Sequence, residues 1–165
     1  WIDHALDVAV RLSSYVSTQR DEDERDLMEA AILHAVLEDT TVTPEQIEAA
    51  TNARVRLWVE TITEPKAIPP KDQWLVKQRM YAAVPAYPDL LLIKLADRIS
   101  AVTECWKKRD CRLFEYYAEQ IAFEAVMGSL LNRAPVGWVG TATTRAFLQE
   151  YRDLFTSSPS PRSSG

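Results

Sequence analysis

The sequence predicts an all-helical fold, an orthogonal bundle of six to eight helices. Along most of the 165 residues, apolar side chains recur every three or four positions, the spacing that places them on one face of a helix. Residues Thr43–Gln46 form a capping box with proline at the first helical position, which marks a helix start. Residues 89–108 then carry a long apolar face at helical spacing, which consists of Leu92, Leu95, Ala96, Ile99 and Val102.

The N-terminal part of the chain predicts two helices that flank a turn. The first helix is expected from Asp3 to about Thr18. Residues 20–26 are all charged and predict a solvated turn, whereas residues 27–37 are apolar almost all round, which is typical of a buried helix. The predicted core stripe of the first helix consists of Leu6, Ala9, Val10, Ser13 and Val16.

Proline-rich breaks separate the remaining predicted helices. The helix that opens at Thr43 is expected to reach about Thr51, and prolines at 65, 69, 70, 85 and 88 interrupt the chain further on. The other helices are predicted over residues 53–63, 72–84, 89–108, 112–131 and 143–155.

The domain organisation is expected to be simple. Residues 1–155 predict one compact domain, and the Ser/Pro-rich residues 156–165 predict a disordered tail. The chain opens on Trp1 in mid-pattern, so we expect an N-terminally truncated or trimmed piece. Cys105 and Cys111 do not form a metal-binding pair and are expected to be free structural thiols, which favours a cytoplasmic location.

Composition excludes several classes of partner. The net charge is −5 and no basic stripe interleaves with aromatic residues, so neither duplex DNA nor duplex RNA is expected as a ligand. No apolar run approaches the roughly 20 residues that span a bilayer, so no membrane partner is expected. The first 127 residues contain no glycine. Phosphate chemistry would therefore need side chains or a metal in place of a glycine-rich loop.

A buried helix is predicted to end in a histidine and two acids. His34 and Glu38 are four residues apart, as are Ala35 and Asp39, so each pair would share a helix face. Such a grouping costs desolvation free energy unless it is paired or bound to a metal. The structural alternative for His34 is a core histidine bonded to a backbone carbonyl.

Asp97 is a second acid in an apolar setting, since residues 90–99 are otherwise almost entirely hydrophobic apart from Lys94 and Arg98. The structural alternative for Asp97 is an ion pair with an arginine such as Arg98 or Arg54. Taken singly, His34 and Asp97 are each more often structural than functional. Their combination with His4, the only other histidine of the chain, shifts the balance towards a site.

In order and spacing, these residues resemble the HD domains of the RelA/SpoT homologue family, which includes small alarmone hydrolases. The segment 4–9 is similar to the family's first histidine motif, with Ala5 where proline is common. Residues 30–40 are similar to its Ala-Leu-Leu-His-Asp-x-x-Glu-Asp-Thr motif, and residues 94–99 to Lys-Leu-Ala-Asp-Arg-Leu. Glu115–Tyr117 matches a later tyrosine motif. The resemblance covers about residues 1–125 and implies an orthogonal helical bundle of the HD-domain type.

The resemblance also implies an activity, a metal and a set of residues. The family's enzymes remove pyrophosphate from the 3′ position of guanosine tetraphosphate or pentaphosphate, using manganese held by two histidines and two aspartates. Transferred to this chain, it implies metal ligands His4, His34 and Asp97, an acid–base pair Glu38 and Asp39, and nucleotide contacts from Tyr116 and from the loop residue Lys71 or Lys66.

Two departures from the family pattern lead us to expect weakened or lost hydrolysis. Ala35 stands where the family has its metal-ligating aspartate, and Ala101 stands where an asparagine near the nucleotide is usual. The alternative function is a catalytically inactive HD domain that acts as a nucleotide-binding or regulatory interaction module. A further hypothesis is that Ala35 is an inactivating substitution introduced into an active enzyme.

Overall fold

The structure, a computed structural model, describes residues 2–13, 22–64, 77, 87–134, 136 and 140–156. Within these ranges it is all helical and contains no strand, which confirms the predicted fold class. None of the described helices has the length and apolar character needed to cross a bilayer. In chain order the helices are α1 (Ile2–Ser13), α2 (Glu22–Leu33), α3 (Val36–Asp39), α4 (Pro44–Ala50), α5 (Ala53–Ile62), α6 (Leu90–Lys108), α7 (Leu113–Asn132) and α8 (Thr141–Thr156).

Helix α6 forms the centre of the bundle and contacts α1, α2, α5, α7 and α8. Its predicted apolar face, from Leu92 to Val102, is buried. The helix ends at Lys108 because Arg109 takes the left-handed conformation, with φ 52°. Because most of α6 is buried, a polar side chain on it needs a hydrogen-bonding or ionic partner, or a cleft open to solvent.

The face that α1 turns to the core is only partly the predicted one, since Ala9 is buried as predicted but other residues of the predicted stripe are not. Leu6 and Val10 were expected inside but are 49% and 62% exposed. Both faces of this helix are apolar at helical spacing, and periodicity alone does not choose between them. Residues 14–18, where the helix was expected to continue, lie outside the described part of the chain. The buried positions are Ala5, Val8, Ala9 and Leu12.

The segment 20–40 also departs from expectation. Helix α2 already begins at Glu22, within the run predicted as a solvated turn, and the predicted helix over 27–37 is interrupted at His34 and Ala35. The Ala35 carbonyl accepts hydrogen bonds from the backbone N–H groups of Glu38 and Asp39, at 3.1 and 3.0 Å, which starts α3 as a separate turn. No proline or glycine in the sequence signals this break.

The other described helices begin and end within about two residues of their predicted bounds. The capping box is confirmed: the Thr43 hydroxyl accepts from the Gln46 N–H, and the Gln46 side chain accepts from the Thr43 N–H. Cys105 and Cys111 are free, the first buried and the second exposed. Of the helix predicted over 72–84 only Lys77 is described, and residues 157–165 of the predicted tail lie outside the described ranges.

Candidate metal centre

Three distant parts of the chain bring the predicted ligands together. His4 comes from α1, His34 from the turn after α2, and Asp97 from the middle of α6. The His4 Nε2 lies 3.1 Å from Asp97 Oδ1, and the His34 Nε2 lies 3.6 Å from the same oxygen. One potential ligand atom from each of the three residues lies within 4.8 Å of the other two. Among the described residues this is a group that can hold a metal ion.

Backbone contacts fix the orientation of His34. Its Nδ1 lies 2.8 Å from the Ala31 carbonyl oxygen, so this nitrogen carries the ring proton and donates a hydrogen bond to the backbone. With a metal bound, the ring would be neutral and its lone pair would lie on Nε2, the atom on the side of Asp97. The structural alternative for His34 and the predicted ligand role are therefore compatible, since a backbone acceptor on one nitrogen is the usual support of a metal-binding histidine.

Asp97 is paired with a lysine and two histidines and not with the arginines that were considered. The Lys94 Nζ lies 3.1 Å from Asp97 Oδ2. Burial alone would raise the pKa of Asp97, but Lys94 and the two histidines outweigh it and hold that pKa well below its usual range. The hydrogen bond to Asp97 raises the pKa of His4. The arginines pair elsewhere, Arg98 with Glu119 and Arg54 with Asp26.

The three residues lie in a cleft of about 320 Å³ whose wall also includes Glu38 and Asp39. Glu38 Oε1 accepts a hydrogen bond from the Glu64 N–H at 2.6 Å, and burial raises the pKa of Glu38. Asp39 is exposed at the cleft. Ala35 and Ala101, the two positions at which we expect the sequence to depart from the family pattern, line the same cleft.

A second wall of the cleft is aromatic and basic. Tyr116 lines it, and the Arg98 guanidinium carbon lies 4.2 Å from the centre of the Tyr116 ring. Burial raises the pKa of Tyr116 to about 12, so its hydroxyl stays protonated. Arg112 and Lys77 also line the cleft. Lys71 and Lys66, the predicted phosphate contacts, lie outside the described residues.

Sequence reasoning missed Lys94 and Lys77 as residues of the site. Lys94 is three residues before Asp97 on α6, a spacing at which helical side chains meet, and this was the available signal. The Lys77 Nζ lies 3.9 Å from carboxylate oxygens of both Glu64 and Glu119. No comparable local signal identifies Lys77, because its partners are distant in the sequence.

The donor set fits a divalent transition metal. Two imidazole nitrogens and one carboxylate oxygen are ligands that such ions accept. The supporting contacts are also present, from the Ala31 carbonyl to His34 and from Lys94 to Asp97. Ala35 ends in a methyl group and offers no ligand atom.

Comparison with known proteins identifies relatives of one activity, although no family model matches the chain. The mouse guanosine-3′,5′-bis(diphosphate) 3′-pyrophosphohydrolase MESH1 is 34% identical over 73 residues, which is 44% of this chain and 40% of the mouse protein. The guanosine-3′,5′-bis(diphosphate) 3′-pyrophosphohydrolase of Aquifex aeolicus is 32% identical over 111 residues, 67% of this chain but only 15% of that protein. The chain therefore spans well under two thirds of these two relatives.

Two further similarities cover more of the chain. The solved structure of a metazoan ortholog of SpoT that hydrolyses ppGpp matches with a TM-score of 0.59 at 16% identity, covering 94% of this chain and 80% of that one. This match confirms the HD-domain type of bundle. The Xenopus tropicalis MESH1 pyrophosphohydrolase is 32% identical over 135 residues, 78% of this chain and 70% of the frog protein. On this evidence the chain belongs to the family of guanosine-3′,5′-bis(diphosphate) 3′-pyrophosphohydrolases of the MESH1 type.

Proposed function

We propose that the chain binds a guanosine 3′-pyrophosphate nucleotide in this cleft and removes the pyrophosphate slowly, with the help of a divalent metal. The observation that carries the proposal is the meeting of His4, His34 and Asp97 in a cleft that also exposes Glu38 and Asp39. Two histidines and an acid beside a second pair of acids supply both a metal site and proton-transfer groups.

His4, His34 and Asp97 would hold and orient the ion. A bound divalent metal would polarise a phosphoryl oxygen and lower the pKa of a bound water. Manganese is the ion that the family resemblance implies and the first ion to assay. In this chain Lys94 holds Oδ2 of Asp97, so that carboxylate presents Oδ1 to the centre.

Glu38 and Asp39 supply the proton transfers in this proposal. Burial raises the pKa of Glu38 above its ordinary value of 4.5. This brings the pKa closer to neutral pH, where a general base works best. The Glu64 N–H fixes one of its oxygens. Asp39 is more exposed and suits proton exchange with solvent and the leaving group.

The wall with Tyr116 is the proposed nucleotide subsite. Its aromatic ring offers a surface for a base to stack on, and Arg112 and Lys77 supply positive charge for phosphates. Five acids and four bases line the cleft, apart from the histidines: Glu38, Asp39, Glu64, Asp97, Glu104, Lys77, Lys94, Arg98 and Arg112. An anionic nucleotide therefore depends on local bases and on the metal for its attraction.

Ala35 is the proposed reason for slow turnover. We place it where relatives carry an aspartate that ligates the metal, and Ala101 where they carry an asparagine near the nucleotide. Removing even a supporting partner of a metal site typically costs about 10–100-fold in affinity or activity. Losing a direct anionic ligand should cost at least as much, since it also removes negative charge beside the cation.

A nucleotide-binding module without turnover is the second candidate. The observation that favours it is the Lys94–Asp97 pair, because the lysine already offsets the charge of the remaining anionic ligand without any metal. The subsite around Tyr116 does not depend on the metal ligands and would be retained in such a module.

Pyrophosphate release from guanosine-3′,5′-bis(diphosphate), measured with and without Mn²⁺, tests the proposal. We expect slow, metal-dependent release that Asp97→Asn abolishes. Asp153→Asn is the matched control, because Asp153 is exposed on α8 and lies outside the cleft, and it should leave the rate unchanged. No release by the folded chain, together with thermal stabilisation by the nucleotide in the absence of metal, would establish the binding module instead.

A further inference from the structure

Neighbouring groups limit how many atoms this centre offers to a metal. Lys94 occupies Oδ2 of Asp97, which leaves Oδ1. The Ala31 carbonyl occupies Nδ1 of His34, which leaves Nε2. His4 presents Nε2, which lies 3.1 Å from Asp97 Oδ1. Each of the three residues thus contributes one atom, two nitrogens and one oxygen in all.

Two nearby side chains do not add a fourth ligand. Glu38 lines the cleft, but its Oε1 holds the Glu64 N–H at 2.6 Å, and it is not among the donor atoms that lie within 4.8 Å of one another. Ala35 lines the cleft with a methyl group. A metal bound here would therefore complete its coordination with water.

The number and type of donors favour one class of ion. Zinc in catalytic sites is commonly held by three protein ligands, often nitrogen-rich, with water in the fourth position. Manganese suits sites rich in carboxylates and water with six ligands. The separations from Asp97 Oδ1, 3.1 Å to His4 Nε2 and 3.6 Å to His34 Nε2, are short enough for the three atoms to bind one ion, and the number and type of donors, not these separations, favour zinc.

We propose that this cleft binds a four-coordinate ion of the zinc class through His4, His34 and Asp97, and that the alanine at position 35 shifts its preference away from manganese. The inference deepens the proposed function, because it concerns the metal of the same site. It requires only that the three residues bind the ion, and not that the nucleotide is hydrolysed.

Lys94 strengthens this preference. Its ammonium group offsets the charge of the only carboxylate among the three donors, so the centre attracts a divalent cation less by charge than a site with two carboxylates. Metal binding at this centre then depends mainly on the two imidazole nitrogens, which bind zinc more tightly than manganese.

Metal titration of the nucleotide-free chain provides the test. Zn²⁺ and Mn²⁺ affinities are measured for the unchanged chain and for Ala35→Asp, and Co²⁺ serves as a spectroscopic probe because tetrahedral cobalt absorbs visible light far more strongly than six-coordinate cobalt. Most protein sites bind zinc more tightly than manganese. The ratio of the zinc affinity to the manganese affinity in Ala35→Asp is therefore the reference. We expect the zinc-to-manganese ratio of the unchanged chain to exceed that reference by about ten-fold or more.

We also expect an intense cobalt spectrum that His34→Ala removes. Equal ratios in the two chains, a weak six-coordinate cobalt spectrum, or zinc binding that His34→Ala leaves unchanged would each overturn the inference. If Ala35→Asp does not fold, the cobalt spectra of the unchanged chain and of His34→Ala decide it. Failure of the proposed function is distinguishable, because a chain with a tetrahedral cobalt spectrum that hydrolyses no nucleotide with any metal contradicts the function alone.

Discussion

Two partly buried acids of the cleft, Asp97 and Glu38, differ in how neighbouring groups affect their ionisation. Asp97 stays ionised because Lys94 and two histidines surround it, although its side chain is only 22% exposed. Glu38 has fewer partners, and burial raises its pKa. A carboxylate in this condition lowers the stability of the fold at neutral pH. Retention of such a group in a cleft is typical of a functional site.

Glu38→Gln should separate stability from activity. The raised pKa means that the folded state disfavours the ionised form of Glu38. This cost appears as the pH rises above the unfolded-state pKa and is absent below it, where both states bind the proton. Because glutamine keeps an oxygen for the Glu64 N–H, we expect the variant's Tm to exceed that of the unchanged chain at pH 7, with a smaller difference at pH 4.

Pyrophosphate release by Glu38→Gln should meanwhile fall by about 10²–10⁴-fold. Thermal melts of the metal-free chain and variant at the two pH values, with a release assay at pH 7, check both halves of the prediction. A lower Tm for the variant at pH 7 would show that the carboxylate stabilises the fold, contrary to the pKa argument.

At the scale of the helices, contacts between elements decide what the sequence leaves open. Helix α1 has two apolar faces, and packing against α2 and α6 selects the one with Val8 and Leu12. Helices α2 and α5 are joined through Asp26, which is 2% exposed and accepts hydrogen bonds from Asn52 and Arg54. Such contacts set the positions of α1 and of the turn after α2, and thereby of His4 and His34.

The choice of core face on α1 is testable with one pair of leucines. Leu12 is fully buried, so Leu12→Ala should lower the free energy of unfolding by about 2–5 kcal/mol. Leu6 is 49% exposed, so Leu6→Ala should change it by no more than about 0.5 kcal/mol. Denaturant unfolding of both variants provides the comparison. Equal losses would show that the predicted face, with Leu6, also packs in the core.

The junction of α2 and α5 should respond strongly to loss of Asn52. Its side chain accepts from the Arg54 and Val55 N–H groups at the start of α5 and donates to Asp26. Asn52→Ala removes the cap and one partner of a buried acid, so we expect a loss of about 2–4 kcal/mol in the free energy of unfolding. Thr43→Ala, at the exposed capping box of α4, is the control and should cost about 1 kcal/mol.

The same junction predicts a pH dependence. Burial would raise the pKa of Asp26, but the hydrogen bonds from Asn52 and Arg54 outweigh it and lower the pKa below the ordinary 3.8. Ionised Asp26 therefore stabilises the fold at pH values above 3.8. This stabilisation is lost as the pH falls through the lowered pKa of the folded state. The stability difference between the unchanged chain and Asn52→Ala should narrow on acidification, and a constant difference would contradict this assignment.

For the whole molecule, sequence patterns predicted the elements better than their interruptions. Helices with one clear apolar face or a local cap, such as α6 and α4, follow from side-chain spacing and local hydrogen bonds. Two features do not follow from such local patterns, because long-range packing decides them. They are the helix break at His34 and Ala35 and the burial of Asp26. A run of charged residues indicates a solvent-exposed segment only when no other helix packs against it.

The candidate centre was predictable because its residues belong to motifs that resemble those of a known family in order and spacing. The meeting of His4, His34 and Asp97 follows from that order together with the fold. The hold of Lys94 on one oxygen of Asp97 does not, since it depends on side-chain conformations that spacing leaves open. That contact leaves one oxygen of Asp97 for a metal.

The most direct test of a hydrolase centre weakened at position 35 is the rate of pyrophosphate release from guanosine-3′,5′-bis(diphosphate), compared between the unchanged chain and Ala35→Asp at saturating Mn²⁺. Ala35 lines the cleft beside His34, so an aspartate there would restore the anionic ligand that we propose is lost. We predict that the variant is faster by about ten-fold or more. A folded variant that is no faster than the unchanged chain would contradict the account.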